Sequence, residues 1–307
     1  MLRVLITGGT GLVGKRLSEM LLNRGYAITI LSRNKNLVSK NPSVDYAFWD
    51  VDKQFIDIDA IANADIIINL AGAGVADKRW TKERKKEIVE SRVNSGKLLV
   101  DALQQHSNKI QTVVSASAIG WYHSQENNTT NYQEDQPANT DFLGDTCKQW
   151  EQSMHPIISM KKRLVTLRIG IVLSKNGGAL KEFLKPLKLG IAAILGNGKQ
   201  KISWIHIDDL CRIFIEAIEN KNLNGAYNAV SPTVTTNQEL TMTLAKKIRG
   251  KFFIPVFVPK FILQIVLGEM SIEVLKSATI SCQKITDTGF QFLYPTVESA
   301  IDDITKK

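Results

Sequence analysis

The stretch Thr7–Gly14, TGGTGLVG, sets glycines at 8, 9, 11 and 14 directly behind the apolar run LRVLIT. Between a strand and a helix, Gly8-x-x-Gly11-x-x-Gly14 is a nucleotide-binding turn. The first glycine permits a sharp turn, the second lets a pyrophosphate approach the backbone, and the third lets the helix pack against the strand. The free N–H groups at the helix start then face the negative charge. Gly8, Thr10, Gly11, Leu12, Val13 and Gly14 therefore make the expected phosphate cradle. Cofactor choice is read after the second strand, where an acidic residue would bond the ribose 2′-hydroxyl of NAD. This chain has LSRNKN there. Ser32 and Arg33 suit a 2′-phosphate, with no carboxylate to repel it, so NADP is expected rather than NAD. The competing reading of Arg33 is a solvated loop cation. Asp50, at the end of VDYAFWD, either accepts from an adenine amino group or is a surface carboxylate. Leu70, Ala71, Gly72 and Ala73 in NLAGAG are small enough, as a group, for backbone to lie against a cofactor.

The elements around these residues alternate. LRVLIT, AITILSR, VDYAFWD, ADIIINLAG, IQTVVSASAIG and RLVTLRIGIVL read as buried strands. Leu17, Met20, Leu21 and Leu22 form a helical stripe that stops at Gly25; Val89, Val93, Gly96, Val100 and Leu103 form another. Right-handed βαβ units follow, and with them an α/β fold: a Rossmann-type doubly wound parallel sheet. After Val172 the texture becomes Gly-rich and irregular. SWIHIDDL then reads as a strand end with Asp208 and Asp209 capping a helix, GAYNAV as one more strand, and Thr236 with Glu239 as a capping box. The expected division is a nucleotide-binding domain over 1–171 and 203–230, and a smaller C-terminal substrate lobe over 172–202 and 231–307. The polar stretch SQENNTTNYQEDQPANTD reads as an exposed loop.

The chain has 307 residues, 44% hydrophobic and 22% charged, with a net charge of +9. Such a charge suits nucleic acid, a membrane surface or anionic small ligands. The basic residues are dispersed through TKERKKE, SMKKRL and LAKKIRGK, and no aromatic-basic RNA motif appears. The expected partner is a small molecule, anionic or carbonyl-bearing, with neither nucleic acid nor membrane. FFIPVFVPKFILQIVLG is too short and too interrupted by Pro255, Pro259 and Lys260 to span a bilayer. Cys147, Cys211 and Cys282 fit neither a closed disulfide framework nor zinc spacing, so no metal is expected and a reducing cytoplasm fits best.

Together these residues resemble the extended short-chain dehydrogenase/reductase superfamily. Within it, NLAGAGVADKRWTKERKKEIVESRV, SASAIGWY, DTCKQWE, LRIGIVLSKNGGAL, SWIHIDDL, GAYNAVSP and GFQFLYP resemble the NAD(P)-dependent epimerase-like, or atypical short-chain dehydrogenase, proteins (the YfcH-like family). The resemblance covers nearly the whole chain. One departure is GIAAILGNGKQ, where Ala192 and Ala193 replace an expected Gly-Gly pair.

The resemblance implies an NADP-dependent oxidoreductase or epimerase-like enzyme. It implies a catalytic Ser at Ser117, with Ser115 beside the cofactor, and backbone at Arg168 and Gly170 bordering the nicotinamide. It also implies a cleft reached by Arg79, Trp80, Arg92 and Trp204, although Arg79 and Arg92 are equally readable as helix-surface cations and Trp80 as a core aromatic. The superfamily's Tyr-x-x-x-Lys pair, in which the Lys lowers the Tyr pKa for proton transfer, is missing from DFLGDTCKQWEQ. Phe142 or Leu143 stands for Tyr and Thr146 or Cys147 for Lys, depending on a one-residue choice of alignment; Lys148 is out of register. Tyr122, the phenol nearest to Ser117 in sequence, is the substitute candidate, with a pKa expected near the reference value of about 10. The rival readings are a non-catalytic NADP(H) sensor or scaffold and a charge-driven RNA binder.

Overall fold

In the computed structural model, which describes residues 1–124 and 131–306, the apolar runs become one sheet. Its strands are β1 (Arg3–Thr7), β2 (Ala27–Ser32), β3 (Val44–Asp50), β4 (Phe55–Ile56), β5 (Ile66–Asn69), β6 (Thr112–Ala118), β7 (Arg163–Ile169) and β8 (Gly225–Ala229). Their order is β8-β7-β6-β5-β1-β2-β3-β4. All neighbours are parallel except β3 and the short β4, a strand the sequence does not announce. Successive residues point to opposite faces, and both faces are covered. Val4, Ile6, Ile28 and Ile68 enter one core, while Leu5, Leu31, Ile67 and Val113 enter the other. Burial of each such side chain contributes about 1.5–3 kcal/mol. This is why the strands carry unbroken aliphatic runs rather than alternation.

The covering helices that matter for the site are α1 (Leu12–Asn23), α2 (Lys82–Gln105), α3 (Phe142–Met154) and α4 (Ile207–Glu219). The chain runs from β1 outward through β2 to β3, then crosses to β5 and proceeds the other way. The direction therefore reverses between β1 and β5, and ligands of open α/β sheets bind outside the strand ends at such a point.

A third core gathers Leu173, Leu180, Leu187, Trp204, Leu240 and Ile301. The stretch after Val172 that reads as irregular holds a helix, Leu180–Lys188, and a strand, Ile191–Leu195. Burial of Leu180 and Leu187 organises that helix despite Pro186. Thr236 and Glu239 form the expected capping box. The cap of α4 differs from the expectation. His206 Nδ1 accepts from the Asp208 N–H at 3.1 Å, and the two aspartates look elsewhere. Asp208 receives Arg16 at 2.7 and 2.9 Å. Asp209, fully buried, accepts the Leu293 and Tyr294 N–H groups at 2.8 and 2.9 Å. Long-range partners outbid the local cap because they satisfy a carboxylate buried beside the C-terminal segment. Of the polar stretch after His123, residues 125–130 lie outside the described residues. Asn131–Tyr132 forms a short strand against Thr279–Ile280.

Candidate cofactor and active site

At the switch point the turn after β1 meets the end of β5. Gly8 has φ +66°, and a Cβ there would stand 2.7 Å from the Leu70 carbonyl oxygen. A Cβ at Gly14 would stand 2.4 Å from Gly8 O and 2.5 Å from Gly9 Cα, so α1 presses directly on the turn. Gly11 differs: a Cβ there would meet only Gly8 O, at 3.2 Å, and the residue is exposed. It is the N-cap of α1, no side chain caps the helix, and the first turn holds no acidic residue. Thr10 is exposed, and Leu12 and Val13 are half-buried beside it. An uncapped helix start over an open glycine is a cradle for an anion. The residues present fit a dinucleotide's pyrophosphate.

Thr7 locks this corner. Its hydroxyl donates to Asn69 Oδ1 at 2.7 Å and accepts the Leu70 and Ala71 N–H groups at 3.0 and 3.1 Å. The Ala73 N–H donates to Ser91 Oγ at 2.9 Å, holding the next residues of the same loop to α2. Gly72 is exposed. A Cβ there would lie 3.0 Å from the Arg92 Cζ, so the Arg92 guanidinium runs against the Gly72 backbone. Ser32 is buried, and its Oγ accepts the Asn34 N–H at 3.0 Å. Arg33 projects into solvent; after the hydrogen bond from Arg84, the charges of Lys78 and then Arg33 help hold the Glu87 carboxyl below its ordinary range. Lys35 turns onto the Phe48 ring, 4.2 Å from its centroid. Asp50 is taken up by its own turn, accepting the Lys53 N–H at 3.2 Å.

Beyond the cradle, the ends of β6, β7 and β8 carry a buried polar network. Ser117 donates to Glu151 Oε1 at 2.6 Å. The Arg168 fork grips the same carboxylate, Nε to Oε1 at 2.9 Å and Nη2 to Oε2 at 3.0 Å. Arg168 Nη1 donates to the Tyr122 hydroxyl and to the Glu134 carbonyl, both at 3.0 Å. Tyr122 donates onward to Asn228 Oδ1 at 2.7 Å. The Trp121 ring lies against the guanidinium, 3.6 Å from Cζ to centroid. Burial pulls the basicity of Arg168 down, but Glu151 and Tyr122 hold it above its ordinary value. Tyr122 is fully enclosed, and burial pushes its phenol up to about 12. That corrects the value near 10 expected from its open position in sequence; the chain folds it inward, against the stacked Tyr132 ring.

Packing on α3 shows which of its side chains face the end of β6. A Cβ on Gly120 would meet Leu143 Cβ at 3.0 Å and Cys147 Sγ at 3.6 Å. Leu143 and Cys147 therefore face the exit of β6. Phe142 instead meets the edge of Trp80, with centroids 4.9 Å apart, and Thr146 bonds back to the Phe142 carbonyl. Lys148 is exposed. Burial pushes the Cys147 thiol up to about 12, so it stays protonated.

The remaining residues scatter. Ser115 is buried and accepts from Asn69 Nδ2 at 3.3 Å. A Cβ at Gly170 would stand 2.8 Å from Ser203 O, so this glycine serves a close backbone approach. Trp80 is buried and donates to the Val75 carbonyl at 2.9 Å. Arg79 is exposed and donates to the Ile265 carbonyl at 3.3 Å. Trp204 is enclosed in the third core. Sequence reasoning passed over Thr7, Asn69, Glu151 and Asn228. Glu151 had a signal: it shares the apolar face of α3 with Leu143, Cys147, Trp150 and Met154, an unusual place for a carboxylate.

The NAD dependent epimerase/dehydratase family model matches residues 4–230. The chain belongs to this family. Its members and neighbours extend along the whole chain. An epimerase family protein of Staphylococcus haemolyticus, SH2119, is 36% identical over 305 residues, covering 99% of each chain. The crystal structure of human epimerase family protein SDR39U1 (isoform 2) with NADPH superposes with a TM-score of 0.85 at 29% identity, over 99% of each chain. UDP-glucose 4-epimerase of Thermus thermophilus, in complex with NAD, has the same fold (TM-score 0.76, 18% identity, 99% of each chain). A second model, a domain of unknown function (DUF1731), matches residues 258–304. The extended short-chain dehydrogenase/reductase membership and the Rossmann-type sheet expected from the motifs both hold.

Proposed function

We propose that this family member binds NADPH and acts as an oxidoreductase or epimerase-like enzyme on a small anionic carbonyl compound, with residues 172–202 and 231–307 as its substrate lobe. The observation that carries the cofactor reading is the uncapped start of α1, together with Arg33 and no carboxylate directly after β2. The NADPH bound to the human relative supports the same choice. Calorimetric titration tests it. NADPH should bind more tightly than NADH, and Arg33→Ala should cut the difference by roughly tenfold or more, the worth of one charge-assisted hydrogen bond to phosphate. Equal affinities in the unaltered protein would refute the assignment.

When bound, NADPH would supply a hydride. The chain's own part is to orient the carbonyl compound and provide charge. Arg92 supports an anionic substrate. Its guanidinium lies along Gly72 and 5.0 Å from the Trp150 ring centroid. Among the described residues no carboxylate pairs with it. Burial, and then like charge from Arg84, lowers its basicity. A partly buried cation without a counter-ion is stabilised by an incoming anion. Arg92→Met should raise KM for an anionic substrate at least roughly tenfold while changing kcat less, the pattern of lost ground-state binding. An unchanged KM would remove Arg92 from the substrate site.

Proton supply is the weak link of the reaction. The Ser117 proton is held by Glu151, the Tyr122 phenol is enclosed, and Leu143 and Cys147 relay nothing. A positioned general acid is worth about 10²–10⁴ in rate, so slow turnover follows. Small aldehydes, ketones and quinones, screened by NADPH oxidation, should yield a slow activity that Ser117→Ala lowers; full activity in both Ser117→Ala and Tyr122→Phe would void these two assignments. The same Leu143 and Cys147 favour a second reading, a non-catalytic NADP(H) sensor. Tight NADPH binding without turnover of any carbonyl compound would support it.

A further inference from the structure

Residues 240–268 contain no Asp or Glu, but they carry Lys246, Lys247, Arg249, Lys251 and Lys260. The structure shows what this basic stretch surrounds. Phe252 is 86% exposed, and Ile254, Phe257, Phe261, Ile265 and Val266 are each more than half exposed. They follow one another along the strand Ile254–Val258 and the helix Lys260–Leu267, joined at Pro259. Of that helix only Leu263 is buried. The strand pairs on one side alone, with Ile191–Leu195, where Leu189 adds a further exposed side chain. A folded monomer seldom leaves so continuous an apolar face in water.

We infer that this face docks the protein on an anionic phospholipid surface. Three observations favour that occupant. The apolar side chains are rimmed by basic ones. Lys251 and Lys260 flank the exposed phenylalanines and make no ion pair among the described residues, so their charge is available to phosphate headgroups. The helix is apolar around most of its circumference yet too short to span a bilayer, and no described helix is long and apolar enough to cross one; such a segment lies in the interface plane. A second copy fits less well, because an isologous contact would bring the same acid-free basic rim of both copies together, like charge near like charge. The helix is also tied to the cleft side of the molecule. Arg79 bonds the Ile265 carbonyl, and Lys85 pairs with Glu269. Docking would hold the loop that follows β5 near the membrane surface. The inference revises the expectation of no membrane partner, which rested on the dispersal of the basic residues and on the absence of a spanning segment.

The test is flotation of the full chain with vesicles of phosphatidylcholine alone and of phosphatidylcholine mixed with phosphatidylglycerol. Binding should require the anionic lipid and fall as salt rises. Phe252→Ser with Phe261→Ser, and separately Lys251→Glu with Lys260→Glu, should each lower the partition by roughly tenfold or more. Circular dichroism and NADPH titration should be unchanged, which separates a lost surface from a lost fold. No binding, binding equal on neutral and anionic vesicles, or binding indifferent to either double variant would overturn the inference. So would a dimer in sedimentation that the phenylalanine variant dissociates while vesicles are ignored; that result would give the face to a second copy.

Discussion

Gly14→Ala should destabilise the protein and abolish useful NADPH affinity together. The added Cβ would stand 2.4 Å from Gly8 O and 2.5 Å from Gly9 Cα. Both obstacles are backbone, so no rotamer change relieves them. Either α1 lifts from the turn or the turn moves, at a cost of about 1–3 kcal/mol and a fall in Tm of roughly 2–4 °C per kcal/mol. The helix start would shift with it, and a misplacement of about 1 Å at a positioned site costs on the order of 10²-fold. Gly11→Ala is the matched control. Its Cβ meets only Gly8 O, at 3.2 Å, a shift of a few tenths of an ångström, so Tm should fall less than in Gly14→Ala. Affinity should still fall, because the methyl occupies the surface a pyrophosphate would approach. Thermal melting and calorimetry on the two variants read this out. Equal Tm losses would mean that the two glycines are not divided between packing and ligand approach.

Arg168→Met should be the most destabilising single change at the strand ends. Arg168 is 3% and Glu151 8% exposed, and the fork satisfies both carboxylate oxygens. Removing the guanidinium leaves Glu151 buried with the Ser117 hydroxyl as its remaining described partner, and deprives Tyr122 of a donor. Breaking a buried pair on one side costs about 3–5 kcal/mol. Adding Glu151→Leu removes the stranded charge and should recover much of that loss. Arg168→Lys should recover little, since one ammonium cannot reach Glu151, Tyr122 and the Glu134 carbonyl together. Urea unfolding of the three variants measures the cycle. A single-variant cost below about 1 kcal/mol, the value of an exposed pair, would show that water reaches the network.

Much of this was legible from local chemistry. Glycine spacing, the aliphatic runs and the Thr236–Glu239 box are consequences of backbone freedom, face burial and one helical turn, all of which act over a few residues. The stretch after Val172 misleads because its helix depends on Leu180 and Leu187 finding a core supplied by residues 240–245 and 297–304. Asp208 and Asp209 read as caps because a cap is the nearest use for a carboxylate; Arg16 and the backbone at 293–294 are nearly two hundred and more than eighty residues away.

The catalytic region divides in the same way. The absence of a Tyr-Lys unit is a fact of residue identity, and DFLGDTCKQWEQ states it without any structure. Which side chains replace that unit depends on the rotation of α3 against β6, and one residue of register turns a helical side chain by about 100°. At Gly120 the side chains that face β6 are Leu143 and Cys147. Ser117, Tyr122 and Arg168 were each visible as candidates, but nothing local shows that one carboxylate, Glu151, holds Ser117 and Arg168, or that Tyr122 turns inward. Sequence alone determined the sheet, the glycine turn and the absence of a Tyr-Lys unit, because each depends on residue types and short spacings. Tertiary structure alone decided the buried network, the placing of Arg92 against Gly72 and Trp150 and the exposed basic-apolar face, because burial and pairing belong to side chains that meet only after the chain has closed on itself.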